Sequence, residues 1–85
     1  MNETNETNET NQIDALLAEM IAHQWQRVRR AADAINPRLT DDDLAQPHDF
    51  PELIGSADWC YEDGILAGLR SAQAALRAHF RKKQV

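Results

Sequence analysis

The sequence predicts an all-α fold, in which two long helices form an antiparallel hairpin and the connector between them forms short helical turns. Apolar residues recur at spacings of three or four over residues 12–35 and again over 57–82, and this spacing places them along one face of each helix. The composition is that of a single globular domain, because 42% of the 85 residues are apolar and 27% are charged. We therefore expect one helical-hairpin domain over residues 12–85.

Residues 1–11 are predicted to form a disordered tail. Residues 2–10 read Asn-Glu-Thr three times, and a tract without apolar residues buries nothing that offsets its ordering entropy. Each triplet also matches the acceptor pattern for N-glycosylation, which has meaning only in a secreted chain. We interpret the repeat as a solvated tail, with a modified or binding segment as the alternative.

The first predicted helix has clear start and stop signals. Thr10 or Asn11 can act as its N-cap. Asn36 followed by Pro37 ends it, because proline cannot continue the helical hydrogen bonds. Its apolar stripe consists of Ile13, Leu17, Ile21, Trp25, Val28, Ala32 and Ile35, widened by Leu16, Met20 and Gln24.

The connector, residues 36–56, is too long for a tight turn and is expected to be ordered. Thr40 followed by three aspartates predicts a capped helix start. Pro51 suits the first turn of another short helix that ends at Gly55. The apolar anchors expected to cap one end of the hairpin are Leu39, Leu44, Phe50, Leu53 and Ile54.

The second helix can be capped by Ser56 or Asp58, and it contains an unusual row of small residues. Its apolar stripe is Trp59, Ile65, Leu66, Leu69, Ala72, Leu76 and Phe80. Gly64, Gly68 and Ala72 are spaced four apart, although glycine costs about 1 kcal/mol in a helix interior. We expect this row to form a helix-packing groove filled by the ring of Trp25. The alternative is that the glycines have no packing role.

Antiparallel pairing is favoured because it brings opposite charges together at both ends of the hairpin. One predicted group joins Arg27, Arg29 and Arg30 with Asp58, Glu62 and Asp63, and the other joins Arg77, Arg81 and Lys82 with Asp14 and Glu19. A lone hairpin would leave Met20, Leu66 and Leu69 in water. We therefore expect a two-fold homodimer that forms a four-helix bundle, with a different protein on the uncovered face as the alternative.

The charge balance and the motifs argue against several functions. A net charge of −5 without a segregated basic face disfavours nucleic acid and anionic membranes as partners. No run of about 20 apolar residues predicts a membrane span. The chain has one cysteine, which suits the reducing cytoplasm. No glycine-rich phosphate loop is present, so no cofactor is expected.

No complete catalytic or metal site is predicted within one chain. Glu19 and His23 share a helix face at a usable ligand spacing, but antiparallel pairing places Cys60 far from them, and a di-iron bundle needs further inward glutamates. Acidic neighbours oppose activation of the Cys60 thiol. Symmetry can still bring two copies of these ligands together in an oligomer.

These observations predict a small non-enzymatic protein–protein interaction or regulatory module. The alternative is a metal- or small-ligand-binding protein whose site forms only at the oligomer interface. The expected docking surface consists of Phe50, Leu53, Trp59 and Tyr61, because aromatic residues are enriched at interfaces. Those four residues have an alternative role in capping the hairpin.

Overall fold

The computed structural model describes residues 2–83, and it confirms the helical hairpin. Within that range the chain forms helix α1 (Asn2–Ile35), helix α2 (Asp41–Leu44), a 3₁₀ turn (Pro47–Asp49), helix α3 (Pro51–Ile54) and helix α4 (Ala57–Lys83). Helices α1 and α4 pack along each other in opposite directions, and α3 contacts both of them at one end. The result is a rod of 53 × 20 × 19 Å.

Helix α1 begins at Asn2, upstream of the start that the sequence predicts. The structure therefore places the Asn-Glu-Thr repeat in the first turns of α1, and Thr10 and Asn11 lie inside the helix rather than at its cap. Extending a helix that is already nucleated costs little, because each added residue contributes a hydrogen bond. The far end of α1 is as predicted, since the helix stops at Ile35 before Asn36 and Pro37.

The short helices begin at the residues that local chemistry indicates. Thr40 forms a capping box: its hydroxyl accepts a hydrogen bond from the Asp43 amide at 3.1 Å, and the Asp43 carboxylate accepts one from the Thr40 amide at 2.9 Å. Pro51 opens α3, and Gly55 follows its last residue. Ser56 caps α4 by accepting a hydrogen bond from the Trp59 amide at 3.1 Å.

The core lies at the connector end of the hairpin. Its buried apolar members are Val28, Ala32, Leu39, Leu44, Leu53, Trp59 and Leu66. Three of the five predicted anchors are buried here and Phe50 packs against them, but Ile54 is 48% exposed. Leu66 is buried rather than left in water, because it lies on the side of α4 that meets α1.

Arg29 ties the connector to α1. Its guanidinium hydrogen-bonds the carboxylates of Asp33 at 2.7 Å and Asp41 at 3.1 Å, and it also donates to the Leu39 carbonyl. These acceptors raise the pKa of Arg29, chiefly through the hydrogen bond to Asp33. The predicted pairing of Arg29 with acidic residues of α4 is wrong, because Asp33 of α1 and Asp41 of α2 are its partners.

The open end of the hairpin has one of the predicted ion pairs. The Arg77 guanidinium donates to the Asp14 carboxylate at 2.6 and 3.0 Å. This hydrogen bond lowers the pKa of Asp14. The pair spans α1 and α4 far from the core, so it confirms their antiparallel register at the open end.

Leu53 and its neighbour Ile54 provide a matched test of where the core lies. Leu53 is 0% exposed whereas Ile54 is 48% exposed. We expect Leu53→Ala to lower the free energy of unfolding by about 2–5 kcal/mol, and Ile54→Ala to change it by less than about 1 kcal/mol. Urea unfolding followed by circular dichroism measures both. Equal losses would place the core elsewhere.

The Asp14–Arg77 pair is expected to give a pH-dependent contribution to stability. Because folding lowers the pKa of Asp14, chiefly through the hydrogen bond from Arg77, its contribution is present above the ordinary aspartate pKa and is lost as the pH falls through the lowered pKa. A double-mutant cycle of Asp14→Asn and Arg77→Gln, measured by thermal unfolding, should show coupling at neutral pH and none at the acidic limit. Coupling that persists in acid would contradict this.

Candidate interaction surface

Burial is confined to one half of the hairpin. None of the described side chains in residues 8–23 and 67–82 is buried, although both stretches carry apolar residues. The whole chain exposes 6328 Å², whereas a compact monomer of this mass exposes about 5,100 Å². The half of the rod away from the connector therefore consists of only two helices, each of which covers only one side of the other.

A shallow groove runs along the seam between α1 and α4 in this region; we call it the seam groove. It is lined by Leu16, Glu19, Met20, His23, Gln24, Arg27, Ile65 and Leu69. Leu16 is 57% exposed, Met20 43% and Ile65 37%. These apolar side chains face water although they belong to the stripes that hold the two helices together.

Gln24 is a buried polar residue at the base of the otherwise apolar floor of the seam groove. Its amide nitrogen donates to the backbone carbonyl and to the carboxylate of Glu62, both at 2.8 Å. Both amide hydrogens are thus used, so the buried polar group is satisfied. The two bonds fix the register of α1 on α4 directly beneath the groove.

Charged and titratable side chains occupy the α1 rim of the seam groove. Glu19, His23 and Arg27 follow one another at four-residue spacing and all three line the groove, which places them in one row on the helix. The rim therefore has a negative end and a positive end, with the imidazole between them. An apolar floor with a polar edge is the usual anatomy of a protein interface.

The predicted docking surface at Phe50, Leu53, Trp59 and Tyr61 is largely wrong. Leu53 is fully buried and Trp59 is 2% exposed, so both cap the hairpin from inside, and Phe50 packs against the same core. Tyr61 alone is open, at 69% exposure. It lies one turn before Ile65 on α4 and is not among the residues that line the seam groove.

Nothing among the described residues packs into the predicted glycine groove. A Cβ built at Gly64 or Gly68 meets no heavy atom within 4 Å outside the local helix backbone, and Ala72 is exposed as well. Trp25 packs against the core cluster at the connector end instead. The register explains the error, because the Gln24–Glu62 bonds place Trp25 closer to the start of α4 than aligned helix ends predict.

The candidate metal ligands are only partly brought together. Glu19 and His23 share the rim of the seam groove. The Cys60 thiol lies at the connector end, where it donates weakly to the Leu53 and Ile54 carbonyls at 3.7 and 3.5 Å. Among the residues that the structure describes, no three His, Cys, Asp or Glu side chains cluster as a metal site would require.

A second cleft lies at the open end of the hairpin, between the early part of α1 and the end of α4. Its apolar lining includes Ile13, Leu17, Leu76 and Phe80. The Asp14–Arg77 ion pair lines the same cleft and joins its two sides. The Asp14–Arg77 pair closes across this cleft within the chain, and Arg81 also lines it. Within the described part of the chain, the seam groove has no such ion pair between its two helices.

No protein-family model, curated protein or solved structure shows significant similarity to this chain. Across the described residues, none of the helices combines the length and the apolar character that crossing a bilayer requires. The functional argument therefore rests on the geometry of the seam groove.

Replacing Gly64 tests the finding that this position is open. We expect Gly64→Ala to raise the free energy of unfolding by about 0.5–1 kcal/mol, because alanine is the better helix former. Gly55→Ala is the matched control: its new Cβ would lie 3.3 Å from the Pro51 carbonyl oxygen, so no gain is expected. Chemical denaturation measures both variants, and a loss of stability for Gly64→Ala would show that the position is packed.

Proposed function

We propose that this protein is a small non-enzymatic interaction or regulatory module, which acts by docking its seam groove against a protein surface. The observation that carries the proposal is the exposure of Leu16, Met20 and Ile65 along one continuous groove. Isolated apolar residues on a surface need no explanation, but contiguous apolar patches mark interaction sites.

The rigidity of the groove supports docking. Its floor is held by the two hydrogen bonds between Gln24 and Glu62, and both walls are long helices. A preformed surface of this kind loses little conformational entropy when a partner binds. A helical partner surface suits the groove best, because side-chain ridges of one helix pack between those of another.

The non-enzymatic part of the proposal rests on how the reactive groups are distributed. The Cys60 thiol contacts two backbone carbonyls, a structural environment, and the aspartates after Thr40 serve the capping box of α2. We also assign the protein to the cytoplasm within this proposal, because a single thiol suits a reducing compartment.

A metal- or small-ligand-binding function is the second candidate, and the position of Glu19 and His23 on the groove rim favours it. Two copies facing each other would offer two glutamates and two histidines, a donor set that Zn²⁺ accepts. Elemental analysis of protein purified without chelators or a metal-affinity tag tests this candidate. About one equivalent of metal per pair of chains supports it, and metal well below that removes it.

Photo-cross-linking in the native cells tests the proposed docking. A benzoylphenylalanine placed at Met20 should yield covalent adducts with protein, because that side chain lines the groove. The same group at Ala22, two residues along and so about 200° around the helix, should yield few or none. Mass spectrometry of the adducts then separates a second copy of this chain from another protein.

The decisive comparison is between these two positions within one helical turn. Equal adduct yields from Met20 and Ala22, or no adducts from Met20, would remove the proposed function. Both variants should retain the helical circular dichroism of the parent, because Met20 and Ala22 are both exposed.

A further inference from the structure

We infer that the occupant of the seam groove is a second copy of this chain, related by a two-fold axis that passes beside His23 and brings Glu19 of each copy to Arg27 of the other. This inference rests on the proposed function and identifies its partner. It concerns the face formed by Leu16, Met20, Ile65 and Leu69 together with its charged rim.

The spacing of the charges on α1 is self-complementary. Glu19 and Arg27 are each four residues from His23 and line the same groove. When two α1 helices cross antiparallel with His23 at the crossing point, each glutamate lies opposite the partner's arginine. Both ion pairs then form at once, because in a two-fold interface every contact occurs twice.

The apolar part of the surface is distributed as such a pairing requires. Of the six exposed large hydrophobic residues among those described, three line the seam groove: Leu16, Met20 and Ile65. Tyr61 lies one turn before Ile65 on α4. On α4 the exposed Gly64 lies between Tyr61 and Ile65, and the exposed Gly68 lies between Ile65 and Leu69. The same face thus has large projecting side chains and small residues against which a partner's side chains can pack. A two-fold contact needs both, because each copy presents the same surface.

The two-helix half of the rod has apolar surface available for such a contact. A standard interface takes about 800 Å² from each partner, and Leu16, Met20 and Ile65 are 57%, 43% and 37% exposed on this face. Within the described ranges 8–23 and 67–82, no side chain is buried. Stacking two such halves converts them into a four-helix bundle with an interior.

Charge reversal on the groove rim tests both the partner and the symmetry. The wild-type chain is expected to sediment as a dimer at micromolar concentration. Glu19→Arg and Arg27→Glu should each weaken the dimer about tenfold or more, since each places like charges opposite each other twice. An equimolar mixture of the two variants should recover a dimer, and so should the double variant E19R/R27E.

A single cysteine on the proposed axis provides an independent test. In a Cys60→Ser background, His23→Cys should form an intermolecular disulfide rapidly in air, because a residue beside a two-fold axis meets its own copy. Ala22→Cys, one residue along and exposed, is the control and should react slowly. Circular dichroism confirms that each variant keeps its helices.

The outcomes separate this inference from the proposed function. A monomeric wild type that cross-links to another protein at Met20 overturns the inference and leaves the docking function standing. A dimer that is insensitive to both charge reversals, with equal disulfide rates at 22 and 23, overturns the proposed symmetry. No adduct and no dimer removes both the inference and the function.

Discussion

The structure depends on one geometric constraint, which is that two helices can bury only the line along which they touch. A third layer exists only where the connector folds back, and there Leu53 and Trp59 become fully or almost fully buried. Beyond that point the same apolar stripes continue along α1 and α4 without a cover. The same apolar stripes therefore supply both the core and the exposed surface. They are buried where the connector covers them and exposed where it does not.

Gln24 marks the boundary between these two halves. A leucine at this position would close the seam with an apolar contact, whereas the glutamine amide reaches across to both oxygen types of Glu62. A satisfied buried polar pair is costly to break because either partner alone would be left without a hydrogen bond. Hydrogen bonds have a preferred direction, whereas apolar burial has none. The Gln24–Glu62 bonds therefore fix the register of α4 on α1 more strictly than an aliphatic pair would.

The elements of the fold could be predicted because their signals are local. The capping box at Thr40, Pro51 in the first turn of α3 and the Ser56 cap depend only on neighbouring backbone groups. The antiparallel pairing was also within reach, since Asp14 and Arg77 meet as expected. The start of α1 was not, because the repeat has no apolar residue from which to read a helical face.

The candidate site was predicted less well, since burial on the connector side depends on how the chain folds back. Leu53, Trp59 and Tyr61 look equivalent in the sequence, yet the first two are buried in the core and the third is exposed. A wide stripe at Leu16 and Met20 was the available signal for the seam groove. The stripe indicated that part of the hairpin surface is apolar and uncovered. Which side of the hairpin carries that surface depends on how α4 lies against α1, and the Gln24–Glu62 hydrogen bonds fix that arrangement.

The charged rim of the groove favours one orientation of a docked partner, whereas its apolar floor does not. Free energy from buried apolar area varies little when a partner slides or turns by one helical step, because the hydrophobic effect has no direction. Charges at fixed separation do discriminate, since a shift of one turn replaces an attractive pair by a mismatched one. Glu19 and Arg27 are eight residues apart on one helix edge, so an antiparallel copy aligned at His23 satisfies both, whereas a parallel copy in the same register opposes like charges. The choice of symmetry therefore rests on two surface residues that contribute little to the stability of the hairpin itself.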